Sequence, residues 1–134
     1  MHYGVKLDAE CNPVGAQLVF GYWLMLENRG QTEPLLSMEG PAYGLEDVQK
    51  IQRGVDSTTI RVKLRAFPDR PLSIVVGRAE GRCHAFATTS IAGAPAKLHS
   101  IYVKLRWPFG IDSVLVRGTS SADGRRVEEW VRDP

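Results

Sequence analysis

The sequence has few of the features that mark a specialised class of protein. It contains only two cysteines, Cys11 and Cys83, too few for the disulfide framework of a small secreted domain and too far apart for a metal-binding knuckle. No apolar run approaches the ~18 residues that a membrane-spanning helix needs. We therefore predict no transmembrane segment. The two cysteines either form one long-range disulfide, if the chain is exported, or remain two buried thiols.

An excess of charge of one sign is also missing. Seventeen Lys and Arg against fifteen Asp and Glu give a net charge of +2, too small to indicate nucleic acid, so we favour a small-molecule ligand or a protein as the partner over nucleic acid. Hydrophobic residues make up 43% and charged residues 24% of the chain, values that exclude a disordered or collagen-like protein. The 134 residues carry no repeat and no linker-like cluster, so we predict a single β domain over residues 1–134.

The short signatures of common enzymes are absent. There is no G-x-S-x-G, G-x-x-x-x-G-K-[ST], G-x-G-x-x-G, H-E-x-x-H or C-x-x-C pattern and no EF-hand loop. We predict no cofactor and no metal site, and we favour a protein that is not an enzyme. The first residues also lack the basic region and apolar stretch of a signal peptide.

What is present is alternation with a period of two, which is typical of strands with one buried face. In residues 58–66 the apolar side chains fall on one face, and the other face carries Arg61, Lys63 and Arg65. Residues 99–107 repeat the pattern, and we expect one face to carry Ile101, Val103, Leu105 and Trp107.

Turn signals separate further apolar runs. Gly81 and the pair Asp123-Gly124 suit hairpin loops. Residues 43–52 fit a helix nearly as well as a bulged strand, and we favour a strand because the neighbouring segments are strands. The remaining strands are predicted at residues 3–7, 17–27, 72–76, 83–89, 111–117 and 126–131. The pattern predicts an all-β fold, either an antiparallel β-sandwich or a small β-barrel of about eight strands.

Several short motifs resemble a bacterial domain-of-unknown-function family. They are the Tyr-Trp-x-Met strand within residues 22–27, the following Glu39 and the Ala-Tyr-Gly step at residues 42–44. Residues 98–103 and 114–118 fit the same pattern. The resemblance implies an all-β domain with relatives that are often exported, and it implies no reaction, cofactor or catalytic residue.

Three hypotheses for function follow from these residues. The first is a non-enzymatic binding module for a small, partly apolar ligand or a protein partner, because aromatic side chains line what remains of a β interior. Its predicted ligand-binding residues are Trp23, Glu39, Tyr43, His84 and Phe86.

The second hypothesis is a basic sheet face that binds a polyanion, either a nucleic acid or an acidic glycan. Its residues are Arg61, Lys63, Arg65 and Lys104, with Tyr102 on the same face as Lys104. The third is a hydrolase or isomerase that uses a histidine, His84 or His99, together with Glu39.

Overall fold

The fold consists of strands with short connections. The structure is a computed structural model that describes residues 1–25, 29–108, 110–132 and 134, with the backbone alone at residues 52 and 53. Within these residues ten strands form two antiparallel sheets, and the prediction of an all-β fold is confirmed. No helix in the described ranges is long and apolar enough to cross a membrane.

The strands divide into a small and a large sheet. The small sheet has the order β1-β2-β3, and the large sheet is a seven-stranded meander from β4 to β10. The strands are β1 His2–Gly4, β2 Phe20–Met25, β3 Gln31–Pro34, β4 Leu45–Arg53, β5 Ser57–Leu64, β6 Phe67–Ala79, β7 Arg82–Ile91, β8 Ala94–Arg106, β9 Gly110–Ser120 and β10 Arg126–Arg132. The described strands close no barrel, so the sandwich is the better of the two predicted architectures.

Most predicted strands lie where alternation placed them. Gly81 and Gly124 adopt φ values of +73° and +72°, as their predicted turn positions require. The predicted strand at residues 17–27 corresponds to β2, and its last two residues lie outside the described part of the chain. The pattern did not predict β3 or the short helical segment that follows it, a 3₁₀ turn at Ser37–Glu39 and helix α1 at Gly40–Tyr43.

Most of the ambiguous segment at residues 43–52 belongs to strand β4, although Tyr43 ends helix α1, and β4 carries two register shifts against β5. The first shift lies between Glu46 and Gln49 and adds one residue to the β4 side of the pair. Leu45 and Val48, three positions apart, therefore both pack against the core. The bulge explains why the spacing of the apolar residues resembles that of an amphipathic helix.

The large sheet separates between β7 and β8. Residues 87–91 of β7 pair with residues 94–98 of β8, whereas residues 82–86 pair only with β6, and residues 100–106 pair only with β9. The meander therefore consists of a first half-sheet, β4–β7, and a second half-sheet, β8–β10, and in the described residues strand pairing joins them at the hairpin end of β7 and β8.

A bulge at His99 changes which side chains of β8 face the core. Leu98 pairs with Gly118 and Ser100 with Arg117, so His99 is the extra residue. Before the bulge Leu98 faces inward, and after it Ile101 and Val103 do. The expectation that Leu105 and Trp107 are buried with them is wrong: Leu105 pairs with Ile111 at the end of β8, and Trp107 follows the strand, so neither side chain is covered. Their side chains are 56% and 91% exposed.

The two cysteines form a disulfide with a Cα–Cα distance of 5.3 Å. Cys11 lies buried in the loop after β1, and Cys83 lies near the start of β7. In the same loop the carbonyl of Ala9 accepts a hydrogen bond of 2.6 Å from Arg78 in β6. Of the two states that the sequence left open, the structure has the disulfide, which ties the N-terminal loop to the first half-sheet.

Candidate functional site

A cavity of about 660 Å³ lies where the two half-sheets separate. This volume falls within the range of small-molecule pockets, roughly 300–1,000 Å³. Its walls are aliphatic side chains from the inner faces of both half-sheets: Val62, Leu64, Leu72, Ile74 and Ala87 from the first, and Leu98, Ile101 and Val103 from the second. The lining is completed by residues in and next to β1 and β2, at the end of α1 and the start of β4, and on the edge of β8: Met1, His2, Tyr3, Val19, Trp23, Tyr43, Leu45, His99, Ser100 and Tyr102.

The cavity lies beyond the last pair between β7 and β8, where both strands continue with inward-facing side chains but no longer pair with each other. Ala87 and Leu98 form the pair nearest the point where β7 and β8 diverge. Beyond it Ile101 and Val103 face across the gap toward Leu64 without a bridging strand. Ala87 carries only a methyl group, too small to fill the angle between the half-sheets.

Polar groups are concentrated at the edge of the cavity. His99 and Ser100 lie on the unpaired edge of β8, and His99 Nε2 is 2.9 Å from the hydroxyl of Thr119. The hydroxyl of Tyr3 donates a hydrogen bond of 2.7 Å to the carbonyl of Tyr43. Burial, and secondarily the neighbouring Tyr43 phenol, raises the pKa of Tyr3, so its hydroxyl remains a neutral donor at physiological pH.

Trp23, Glu39 and Tyr43, three predicted site residues, lie together on one side of the cavity. The indole N–H of Trp23 donates to Glu39 Oε2 at 3.0 Å, and the rings of Trp23 and Tyr43 meet edge to face with centroids 5.2 Å apart. The backbone N–H of Leu36 donates to the same carboxylate oxygen at 2.8 Å. Trp23 and Tyr43 line the cavity. Glu39 lies outside the lining and orients the Trp23 indole through their hydrogen bond.

The same contacts fix the charge of Glu39. The hydrogen bond from the Trp23 side chain, followed by the one from the Leu36 backbone, lowers the pKa of Glu39 below its usual value. The carboxylate is therefore ionised at neutral pH and accepts both bonds, as the orientation of the indole requires. Glu39 therefore positions the Trp23 indole and does not itself line the cavity.

The other two predicted ligand-binding residues, His84 and Phe86, lie on the outer face of β7. His84 Nε2 is 3.1 Å from the carbonyl of Ala79, and the Phe86 ring lies 5.3 Å from the ammonium nitrogen of Lys97. Ala87, the next residue along β7, faces the cavity instead. The structure thus unites three of the five predicted residues and places two elsewhere.

The histidine and glutamate residues of the enzyme hypothesis are dispersed. His84 contacts the Ala79 carbonyl, His99 contacts Thr119, and Glu39 contacts Trp23. In the described ranges, no group of three His, Cys, Asp or Glu side chains is placed to hold a metal ion.

The four basic residues of the polyanion hypothesis also separate. Arg61 and Lys63 lie on β5 of the first half-sheet, Arg65 follows that strand, and Lys104 lies on β8 of the second. Lys63 forms an ion pair of 2.9 Å with Asp47. These four residues do not form one continuous face.

Several residues that line the cavity were not predicted from the sequence, among them Ile74, Ala87 and Leu98. Each occupies an ordinary inward position of an alternating strand, so the sequence marks it only as core. Their exposure to a cavity follows from the separation of β7 and β8, for which no local pattern exists.

Comparison with known proteins identifies a family and no individual relative. Searches of curated proteins and of solved structures each gave no match. A family model matches residues 1–130, almost the whole chain, and the resemblance to a domain-of-unknown-function family is confirmed. The chain belongs to the family described as a domain of unknown function, DUF4833.

Proposed function

We propose that this protein is a non-enzymatic binding module that holds a small, partly apolar ligand between its half-sheets. The observation that carries the proposal is the cavity itself, with aliphatic walls from both half-sheets and polar groups at its edge. Pockets of this construction bind ligands through apolar contact and use a few polar groups to fix orientation. The aromatic pair Trp23 and Tyr43 supplies a rigid contact surface on one side.

The charge of the lining indicates the class of ligand. Among the described lining residues there is no lysine, arginine, aspartate or glutamate side chain. A charged ligand group held between the aliphatic walls would lose its hydration without gaining a counter-charge there, which is costly. The lining therefore favours an uncharged ligand, an alkyl chain inside with a hydroxyl or carbonyl group facing the edge near His99 and Ser100.

The experiment is to fill the cavity from Ala87. Leucine at this position projects into the space where β7 and β8 diverge, so we expect Ala87→Leu to weaken binding of 1-octanol at least about tenfold, a loss of about 1.4 kcal/mol. Isothermal titration calorimetry of the wild type and the variant measures this loss. Each methylene moved from water into an apolar site contributes about 0.8 kcal/mol, so wild-type affinity should rise about fourfold per carbon from 1-hexanol to 1-octanol.

Ala85 provides the matched control. It lies two residues earlier on β7, faces the same side and is exposed outside the cavity lining. Ala85→Leu should bind 1-octanol like the wild type. Equal binding by wild type and Ala87→Leu, with both folded, would show that the alcohol does not enter the cavity and would refute the proposal.

A further inference from the structure

The outer face of the second half-sheet combines exposed aromatic rings with basic side chains. Tyr102 of β8 pairs with Leu115 of β9, and Leu115 pairs with Trp130 of β10, so the three form one row across the sheet. Tyr102 and Trp130 are 57% and 53% exposed, whereas Leu115 between them is 4% exposed. The two aromatic side chains therefore cover the leucine and present their rings to solvent.

Basic residues occupy the rows on both sides of this aromatic row. The strand register places on the same outer face Lys97, Lys104, Arg117, Arg126 and Arg132. All five are exposed. The carboxylates that contact them are Glu128, 3.3 Å from Arg117, and Asp112, 3.2 Å from Lys104. Five cations against two carboxylates concentrate positive charge on this surface, although the whole chain has a net charge of only +2.

This combination suits an anionic polymer with planar groups. Nucleic-acid bases stack on exposed aromatic rings, and Lys and Arg contact the phosphates between them. Neighbouring strands are ~4.8 Å apart, so Tyr102 and Trp130 lie roughly 10 Å apart, with room for separated bases. A duplex hides its base faces, which favours a single strand. An acidic peptide would use the charges and leave the rings unused.

We propose that the outer face of β8–β10 binds single-stranded nucleic acid, with bases on Tyr102 and Trp130 and phosphates on the basic residues around them. Trp130 and the five basic residues lie outside the cavity lining, whereas Tyr102, on the unpaired edge of β8, also belongs to that lining. The proposed site shares Lys104 and Tyr102 with the polyanion site predicted from the sequence, but it does not include Arg61, Lys63 or Arg65 of the first half-sheet.

The test is fluorescence anisotropy with a labelled twelve-nucleotide oligothymidine. Arg126→Gln/Arg132→Gln should weaken binding about tenfold or more at low salt and reduce the slope of log affinity against log salt by about 1.4, because two phosphate contacts disappear. Tyr102→Ala/Trp130→Ala should weaken binding by about 5- to 150-fold for each base that loses its stacking partner.

Arg61→Gln/Lys63→Gln is the matched control, since it removes two charges from the first half-sheet and should leave affinity unchanged. Equal loss in this control and in Arg126→Gln/Arg132→Gln would overturn the proposed location. Binding of a heparin oligosaccharide as tight as that of the oligonucleotide, and insensitive to Tyr102→Ala/Trp130→Ala, would overturn it in favour of an acidic glycan. The arginine variant alters exposed side chains only, so it decides the question even where the aromatic variant fails to fold.

Discussion

Removal of the Cys11–Cys83 disulfide is expected to lower the melting temperature by about 10 °C. The bond joins residues 72 positions apart, so it restricts the unfolded chain strongly. Disulfides typically contribute about 2–4 kcal/mol, and for a chain of this length 1 kcal/mol corresponds to about 3–4 °C. The bond also fixes the N-terminal loop, which precedes the residues that cover the cavity.

Thermal unfolding followed by circular dichroism, with and without a reductant, measures this contribution. The double variant Cys11→Ala/Cys83→Ala should melt near the reduced wild type, and reductant should not change it further. If reductant shifts the wild-type melting temperature by less than about 2 °C, the disulfide does not have the stabilising role assigned to it.

Disruption of the ion pair between Arg70 and Glu129 is expected to cost about 2 kcal/mol, because the pair is largely withdrawn from water. Arg70 Nη2 donates to Glu129 Oε1 at 2.9 Å, and Glu129 Oε2 accepts a bond of 2.6 Å from the Ala92 backbone. Both side chains are about one quarter exposed. The pair links β6 of the first half-sheet to edge strand β10 at the end where β7 and β8 remain joined. Glu129→Gln leaves Arg70 without its counter-charge.

The same pair predicts a dependence of stability on pH. The hydrogen bond from Arg70, assisted by the Ala92 backbone, lowers the pKa of Glu129 in the folded protein. An unfolded glutamate titrates near 4.3, so folding releases a proton between the two pKa values. The stabilisation is complete above about pH 4.3 and is lost as pH falls through the lower pKa of the folded state. Glu129→Gln should abolish this part of the acid sensitivity.

Glu128 provides the comparison for both measurements. It is the preceding residue on β10, faces the opposite side and pairs with Arg117 in an exposed contact of 3.3 Å. Exposed pairs contribute about 0.2–1 kcal/mol, so Glu128→Gln should leave urea-unfolding stability almost unchanged. Similar losses in Glu128→Gln and Glu129→Gln at neutral pH would contradict the role assigned to the Arg70–Glu129 pair.

The strands were predictable because each alternating segment buries one face. In β5 the side chains of Ile60 and Val62 are 0% and 1% exposed, and Arg61 between them is exposed. The alternation is a local property of consecutive residues, so the sequence contains it in full. A bulge interrupts the alternation at His99 in β8, so that Leu98 before it and Ile101 after it, three positions apart, both face inward.

The candidate site was predictable only in part. Trp23, Glu39 and Tyr43 belong to the short motifs noted in the sequence. These motifs do not show that Trp23 and Glu39, which are 16 positions apart, form a hydrogen bond. The cavity depends on where β7 and β8 stop pairing, a long-range property of two strands. Ala87 is unremarkable in the sequence and becomes important only at that point.

The most direct test of the account is a titration of the protein, labelled at isoleucine δ1 methyl groups, with 1-octanol, followed by methyl NMR. Ile74 and Ile101 line the cavity from opposite half-sheets, whereas Ile60 and Ile91 are fully buried outside it. We predict saturable shifts for Ile74 and Ile101 and none for Ile60 and Ile91. Saturation without a shift at Ile74 and Ile101 would contradict the claim that the space between the half-sheets is a ligand site.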